Sequence, residues 1–318
     1  SNLTIAPNLN DPETLWKSNQ LGATGNHLHL NALYDVLNRT YIDALVQTAS
    51  TYQEHRACIQ MIERVTLDKV ILIADRGYEN YNIMSHAIEK GWKFLIRIKD
   101  VHSNGIASGL ELPQTAVFDM DINLILTRNQ TKSKKQAGYK FMPTVQTFDY
   151  LPIGSKEDYP IFFRIARFKI ADDSYETVIT NLDRFCFSAE KLKELYHLRW
   201  GIETSFRELK YAIGLTSFHA KKVDYIKQEI FARLTLYNYC ELITTYVVEH
   251  TENISKKNQV NFTIAIYICR EYLRRKRKLR PPDVVKLIEK HILPIRPGRR
   301  DPRKVKPQAS VSFLYRVA

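Results

Sequence analysis

Short apolar runs at two different periods organise the first hundred residues. Residues 27–35 (HLHLNALYD) and 40–48 (TYIDALVQT) read as two strands joined by a turn around Asn38 and Arg39. Across 54–64 the apolar positions Ala57, Cys58, Met61 and Ile62 fall at helical spacing. An uninterrupted apolar run, Val70 to Ala74, is closed by Asp75, Arg76 and Gly77, as expected of a strand covered on both faces. A helix is predicted over 80–90 and a second buried strand over 93–98. Hairpin, helix, strand, helix, strand is an α/β order, with helices packed on a mixed sheet.

The pattern changes between Lys99 and Thr180. Alternating stretches at 123–127, 161–165 and 177–180 are separated by Gly, Pro and Lys clusters. This predicts an antiparallel β segment inserted into the α/β frame. From Ser188, which is placed to cap a helix, the chain turns helical. Further helices are predicted over 225–248 and from Phe262 to Arg277, with Pro281 and Pro282 as a break after the second.

Composition narrows the classes. The chain has 318 residues, 44% of them hydrophobic, with no apolar run long enough for a membrane span. Residues 1–10 are polar and lack a signal-peptide pattern, and the first residue is not Met. The four cysteines (Cys58, Cys186, Cys240, Cys269) have neither knuckle nor finger spacing and read as reduced, mostly buried thiols. The net charge is +13, unevenly placed: from Arg270 to Ala318, sixteen basic side chains face four acidic ones, leaving +1 for the rest. Such a basic end suits a polyanion, because each neutralised phosphate releases counterions; a solvated tail is the other reading.

Candidate chemistry sits in the helix after Ser188, KLKELYHLRWGIETSFRELK. At 100° per residue, Tyr196, Arg199, Glu203 and Lys210 share an arc of about 60° beside an apolar stripe of Leu195, Leu198, Ile202, Phe206 and Leu209. His197, Thr204, Ser205 and Glu208 are expected on the wet side. Asp75 ends a buried strand, where a carboxylate serves either a turn or a bound ion. Two such carboxylates can share divalent cations for phosphoryl transfer, and oxygen ligands favour Mg²⁺ or Mn²⁺.

Tyr196-x2-Arg199-x3-Glu203-x6-Lys210, together with Asp75-Arg-Gly-Tyr78, resembles the YREK-signature group of bacterial insertion-sequence DDE transposases. The phrases ILIADRGYENYN and LYHLRWGIETSFRELK carry the likeness, which spans about residues 1–250. It implies an α/β, ribonuclease H-like mixed sheet with flanking helices, interrupted by a β-rich insertion, plus a C-terminal helical region. Segments 1–99 and 181–250 would form the core, 100–180 the insertion and 251–318 a basic helical region. The resemblance makes Asp75 and Glu203 catalytic, Mg²⁺- or Mn²⁺-binding acids, and Tyr196, Arg199 and Lys210 contacts to phosphates at transposon ends. Double-stranded DNA, a homodimer on that DNA, the bacterial cytoplasm and its nucleoid, and no membrane follow from it as expectations.

The family's first aspartate is not found. Asp11 falls in a polar loop and Asp35 within the hairpin, whereas Ser1 to Ile5 reads as the sequence just after such an acid. The expectation is therefore a truncated core and an inactive or impaired chain. A non-catalytic DNA-end-binding remnant and a metal-dependent nuclease of the same fold remain alternatives. His27 and His29 read as a polar strand face, Trp200 as core, and Lys132, Lys134 and Lys135 as a solvated loop. The run Arg274, Arg275, Lys276, Arg277 and Lys278 is the leading DNA contact outside the candidate catalytic residues.

Overall fold

In order along the chain of the computed structural model the elements are β1 (Asn2–Ile5), β2 (Leu15–Lys17), β3 (Thr24–Asp35), β4 (Thr40–Thr48), α1 (Glu54–Arg64), β5 (Ile71–Ala74), a 3-10 turn (Arg76–Tyr78), α2 (Tyr81–Glu89), β6 (Lys93–Arg97), β7 (Phe118–Thr127), α3 (Lys132–Gln136), β8 (Lys140–Phe141), β9 (Asp158–Ala171), β10 (Ser174–Thr180), α4 (Ala189–His197), α5 (Trp200–Tyr211), α6 (Val223–His250), β11 (Asn258–Val260), α7 (Phe262–Arg274), α8 (Val284–Glu289) and β12 (Ile292–Pro294). The structure describes residues 1–17, 24–101, 103–250, 258–276 and 280–294. They divide into two compact units, one of Ser1–Gln53 with Gly201–Ala318 and one of Glu54–Trp200.

In the first unit β3 is the hub, pairing antiparallel with β1, β2 and β4. Neither β1 nor β2 is predicted from the pattern; both are too short to show a period. The β3–β4 turn is held by Asp35, whose Oδ1 accepts the N–H groups of Leu37 and Asn38 at 2.9 and 3.0 Å. Arg39 closes it with a φ of 56°. The core of this unit joins Leu28 and Leu30 of β3 to Leu209 of α5, Ile226, Ile230 and Tyr237 of α6, and Ile266 and Cys269 of α7.

The second unit is built on one six-stranded sheet, in the order β5-β6-β10-β9-β7-β8. β5 and β6 run parallel, joined by α2, which packs on β6 and against α1. The β-rich stretch continues that sheet, since β10 pairs antiparallel with β6 through Val178–Arg97 and Ile179–Ile96. Arg164, 2% exposed, ties the sheet to the following loop, with its guanidinium forked onto the Asp119 carboxylate and Nη1 donating to the Phe187 carbonyl. This mixed α/β content is the ribonuclease H-like class expected.

Two expectations need correction. The helix carrying Tyr196, Arg199, Glu203 and Lys210 is not continuous: α4 ends at His197 and α5 begins at Trp200. The Leu198 and Arg199 N–H groups bond three residues back, to Leu195 and Tyr196 at 3.2 and 3.1 Å, which tightens the chain into a 3-10 turn. Gly201, a weak helix former, follows at once, so a single 100° phase does not run through all four residues. Separately, α7 stops at Arg274, three residues before the expected end.

Candidate functional site

Asp75 stands at the carboxyl end of β5, with Leu72 and Ala74 of that strand buried. Its side chain is exposed and caps the 3-10 turn, Oδ1 accepting the Gly77 N–H at 2.8 Å. Oδ2 has no partner among the described residues and stays open to a ligand. The turn is stapled from α1: the His55 Nε2–H donates to the Gly77 carbonyl at 2.6 Å, and Nδ1 accepts from the Asn80 amide at 3.3 Å. Asn80 Oδ1 in turn caps α2 through the Asn82 N–H at 2.7 Å. The carboxylate position is thus set by strand, turn and two helices.

Tyr196 belongs to the core of the same unit. It is 3% exposed and packs with Leu95, Val178 and Leu192, against Ile71 and Ile73 of the strand that delivers Asp75. Burial raises its phenol pKa, an effect opposed chiefly by the Arg199 charge. The Arg199 guanidinium lies 5.6 Å from the Tyr196 ring centroid and 4.9 Å from that of Trp200. Trp200, expected in the core, is 53% exposed, because the 3-10 turn rotates it off the buried stripe. Leu198, from the same turn, is 39% exposed.

Glu203 and Lys210 lie on α5, in the first unit, seven residues apart and hence on one helical face. Glu203 is exposed, whereas Lys210 is half-buried and burial lowers its amine pKa. On the side of α5 expected to be wet, Ser205 is 1% exposed and bonds the buried Tyr41 hydroxyl at 2.8 Å. Glu208 also turns inward, meeting the Tyr237 hydroxyl at 3.1 Å. Both placements correct the helical-wheel reading. The reason is packing: α5 is buried against β4 and α6 on a side that its own polar residues occupy, and a wheel registers polarity alone.

Asp11 and Asp35, weighed for the family's first aspartate, are used by their own turns. Asp11 accepts from the Glu13 N–H at 3.2 Å and the Thr14 hydroxyl at 2.8 Å, and Asp35 holds the hairpin turn. Among the described residues no three His, Cys, Asp or Glu side chains cluster as a metal site. His29, 6% exposed, bonds Asn2 at 2.6 Å, and His27 stacks on Trp16, so the two histidines fill a strand face. Cys58, Cys240 and Cys269 are free and buried, and Cys186 is free and exposed.

Of the basic run, Arg274 is exposed and 3.8 Å from Glu271, Arg275 lies over the Tyr272 ring, and Lys276 is exposed. Arg277 and Lys278 lie outside the described residues. Lys134 pairs with Asp158 at 2.5 Å, while Lys132 and Lys135 are exposed on α3. No described helix is long and apolar enough to cross a membrane.

A cleft of about 440 Å³ beside the Asp75 turn escapes sequence reading, its cations coming from the turn itself, the exit of β6 and β8. Positions so far apart in the chain leave no spacing signal.

Residues 12–239 match the family described as Transposase DDE domain. A probable transposase for insertion sequence element IS5377, from Geobacillus stearothermophilus, is 23% identical over 178 residues. That likeness covers 55% of this chain and 40% of the relative, so the chain corresponds to less than half of that protein.

Proposed function

Because the chain belongs to the Transposase DDE domain family, we propose that it is the catalytic portion of an insertion-sequence transposase, acting on double-stranded DNA by hydrolysis at element ends and strand transfer. The observation that carries the proposal is Asp75: a carboxylate at the end of a buried parallel strand, fixed by one oxygen and open at the other. Glu203, exposed on α5, is the proposed companion acid. Two hard oxygen donors suit Mg²⁺ or Mn²⁺, and such ions supply activation of the attacking hydroxyl and stabilisation of the leaving oxygen.

The chain's own residues hold and orient. Arg199, near the rings of Tyr196 and Trp200, carries a planar fork suited to a phosphodiester. The buried Tyr196 sets the position of that fork, and Lys210 supplies a second cation on the Glu203 face. Arg274, Arg275, Lys276, Arg277 and Lys278 are proposed as contacts to the DNA backbone. A homodimer on paired ends, a cytoplasmic, nucleoid-associated location, and the division into core (1–99, 181–250), insertion (100–180) and basic helical region (251–318) are proposed on the same footing.

The test is divalent-metal-dependent nicking and strand joining of an element end by the chain, compared with Asp75→Asn and Glu203→Gln. Two carboxylates grip a metal pair weakly, so weak turnover is expected, and either substitution should abolish it. Turnover that survives both substitutions would refute the assignment. Strand joining distinguishes a transposase from a nuclease. DNA binding that needs no metal and has no accompanying cleavage would favour an end-binding protein without chemistry.

A further inference from the structure

The cleft beside the Asp75 turn is lined by Arg76, Lys99 and Lys140, with Glu79 at its base. None of the three cations has a carboxylate partner among the described residues; the Lys99 ammonium donates only to the Asn104 carbonyl at 3.1 Å. Several other basic groups of this unit are neutralised. Arg97 pairs with Glu176, Lys134 with Asp158, Arg164 with Asp119 and Arg167 with Asp100. The cleft thus keeps a positive charge that those side chains have given up to carboxylates.

Glu79 does not cancel it. One carboxylate oxygen accepts the Lys99 N–H at 2.8 Å and the other the Ile106 N–H, so it offsets one cation while clasping the loop that leaves β6. Gly105 makes the clasp possible, since a β-carbon there would collide with Glu79 Oε1. The opposite wall is Gly77, held by Asp75 and by His55. Floor and walls are thus fixed by hydrogen bonds, and three cations line the opening against one committed carboxylate.

We infer that this cleft binds backbone phosphates of a DNA strand passing Asp75. Three cations less one carboxylate leave a charge that suits two neighbouring phosphodiesters, and ammonium and guanidinium groups recognise phosphate as point charge and fork. The inference rests on the transposase reading for the identity of the strand. Its chemistry, a phosphate in a cationic cleft, is shared with free inorganic phosphate.

The experiment is lysine acetylation of the full chain in chelator, read by mass spectrometry, with no addition, with a short DNA duplex, or with inorganic phosphate. Lys99 and Lys140 should be protected by the duplex, whereas Lys132 and Lys135 on α3 stay reactive. Replacing both cleft lysines by Gln should flatten the salt dependence of duplex binding by about two phosphate contacts. Equal acetylation with and without duplex, protection by phosphate but not by duplex, or equal protection of Lys132 and Lys135 would each overturn the assignment. Because no metal is present, failure of the Asp75–Glu203 chemistry would leave these readouts unchanged.

Discussion

Replacing Glu208 by Gln is expected to stabilise the first unit in alkaline solution and to do nothing in acid. The Tyr237 hydroxyl carries one hydrogen, yet its oxygen stands 3.1 Å from Glu208 Oε2, 3.0 Å from Glu241 Oε1 and 3.3 Å from the Tyr34 hydroxyl. Tyr34 can donate into it, and its own hydrogen can satisfy one carboxylate. The other carboxylate then meets a lone pair unless it holds a proton. Arg39, 2.9 Å from Glu241, favours the ionised form there, so the unsatisfied contact falls on Glu208. Burial, the largest influence on both groups, raises both carboxyl pKa values. The folded state therefore binds more protons than the unfolded chain between the ordinary glutamate pKa, about 4.3, and the raised value, so stability falls as pH rises through that window.

A neutral amide at 208 can donate to the Tyr237 oxygen at any pH. Leaving a buried acceptor unsatisfied costs about 1–3 kcal/mol. Glu208 is only partly buried and loses the attraction of Arg39 on substitution, so the lower end applies. The Gln chain should be more stable by about 1 kcal/mol near pH 8, a factor of about five in opening equilibrium, and equal to the parent near pH 5. Native-state hydrogen exchange on peptides from α6, each variant compared with parent at the same pH, reads this directly. Faster exchange in the Gln chain near pH 8, or the same ratio at both pH values, would refute the hydrogen-counting argument.

Ser205→Ala should lower the stability of the first unit by about 1–3 kcal/mol in urea titrations, because it strands the buried Tyr41 hydroxyl. Gly105→Ala should destabilise the Lys99–Ile106 loop by about 0.5–1.5 kcal/mol, since the new β-carbon forces Glu79 off the Ile106 N–H; accelerated exchange of that amide is the measurement. Arg164→Ala should destabilise the second unit by about 3–5 kcal/mol, seen as a lowered melting temperature, because Asp119 loses its fork and keeps only Arg184 at 3.4 Å.

Much of the frame was legible because its signals are local. The run ending at Asp75 reads as a two-faced strand from five consecutive residues, and the hairpin from its alternation and turn. The acids at 75 and 203 and the cations at 199 and 210 were legible through spacing and context, a property of the chain and not of its packing. The wheel over residues 188–210 failed where two N–H groups bond three residues back in place of four, a choice of about one hydrogen bond's energy that no periodicity reports.

The inward turn of Ser205 and Glu208 depends on partners some thirty and more than 160 residues away, Tyr237 and Tyr41. The cationic cleft likewise gathers Arg76, Lys99 and Lys140 from separate elements. By itself the sequence determined most of the longer strands and helices and which side chains carry the chemistry proposed for metal or phosphate, because those follow from side-chain type and short-range period. Only the tertiary structure decided which polar groups are buried, which carboxyls are pushed up in pKa and where unpaired charge accumulates. Desolvation and hydrogen-bond partnership belong to the packed neighbourhood, and distance along the chain carries no record of it.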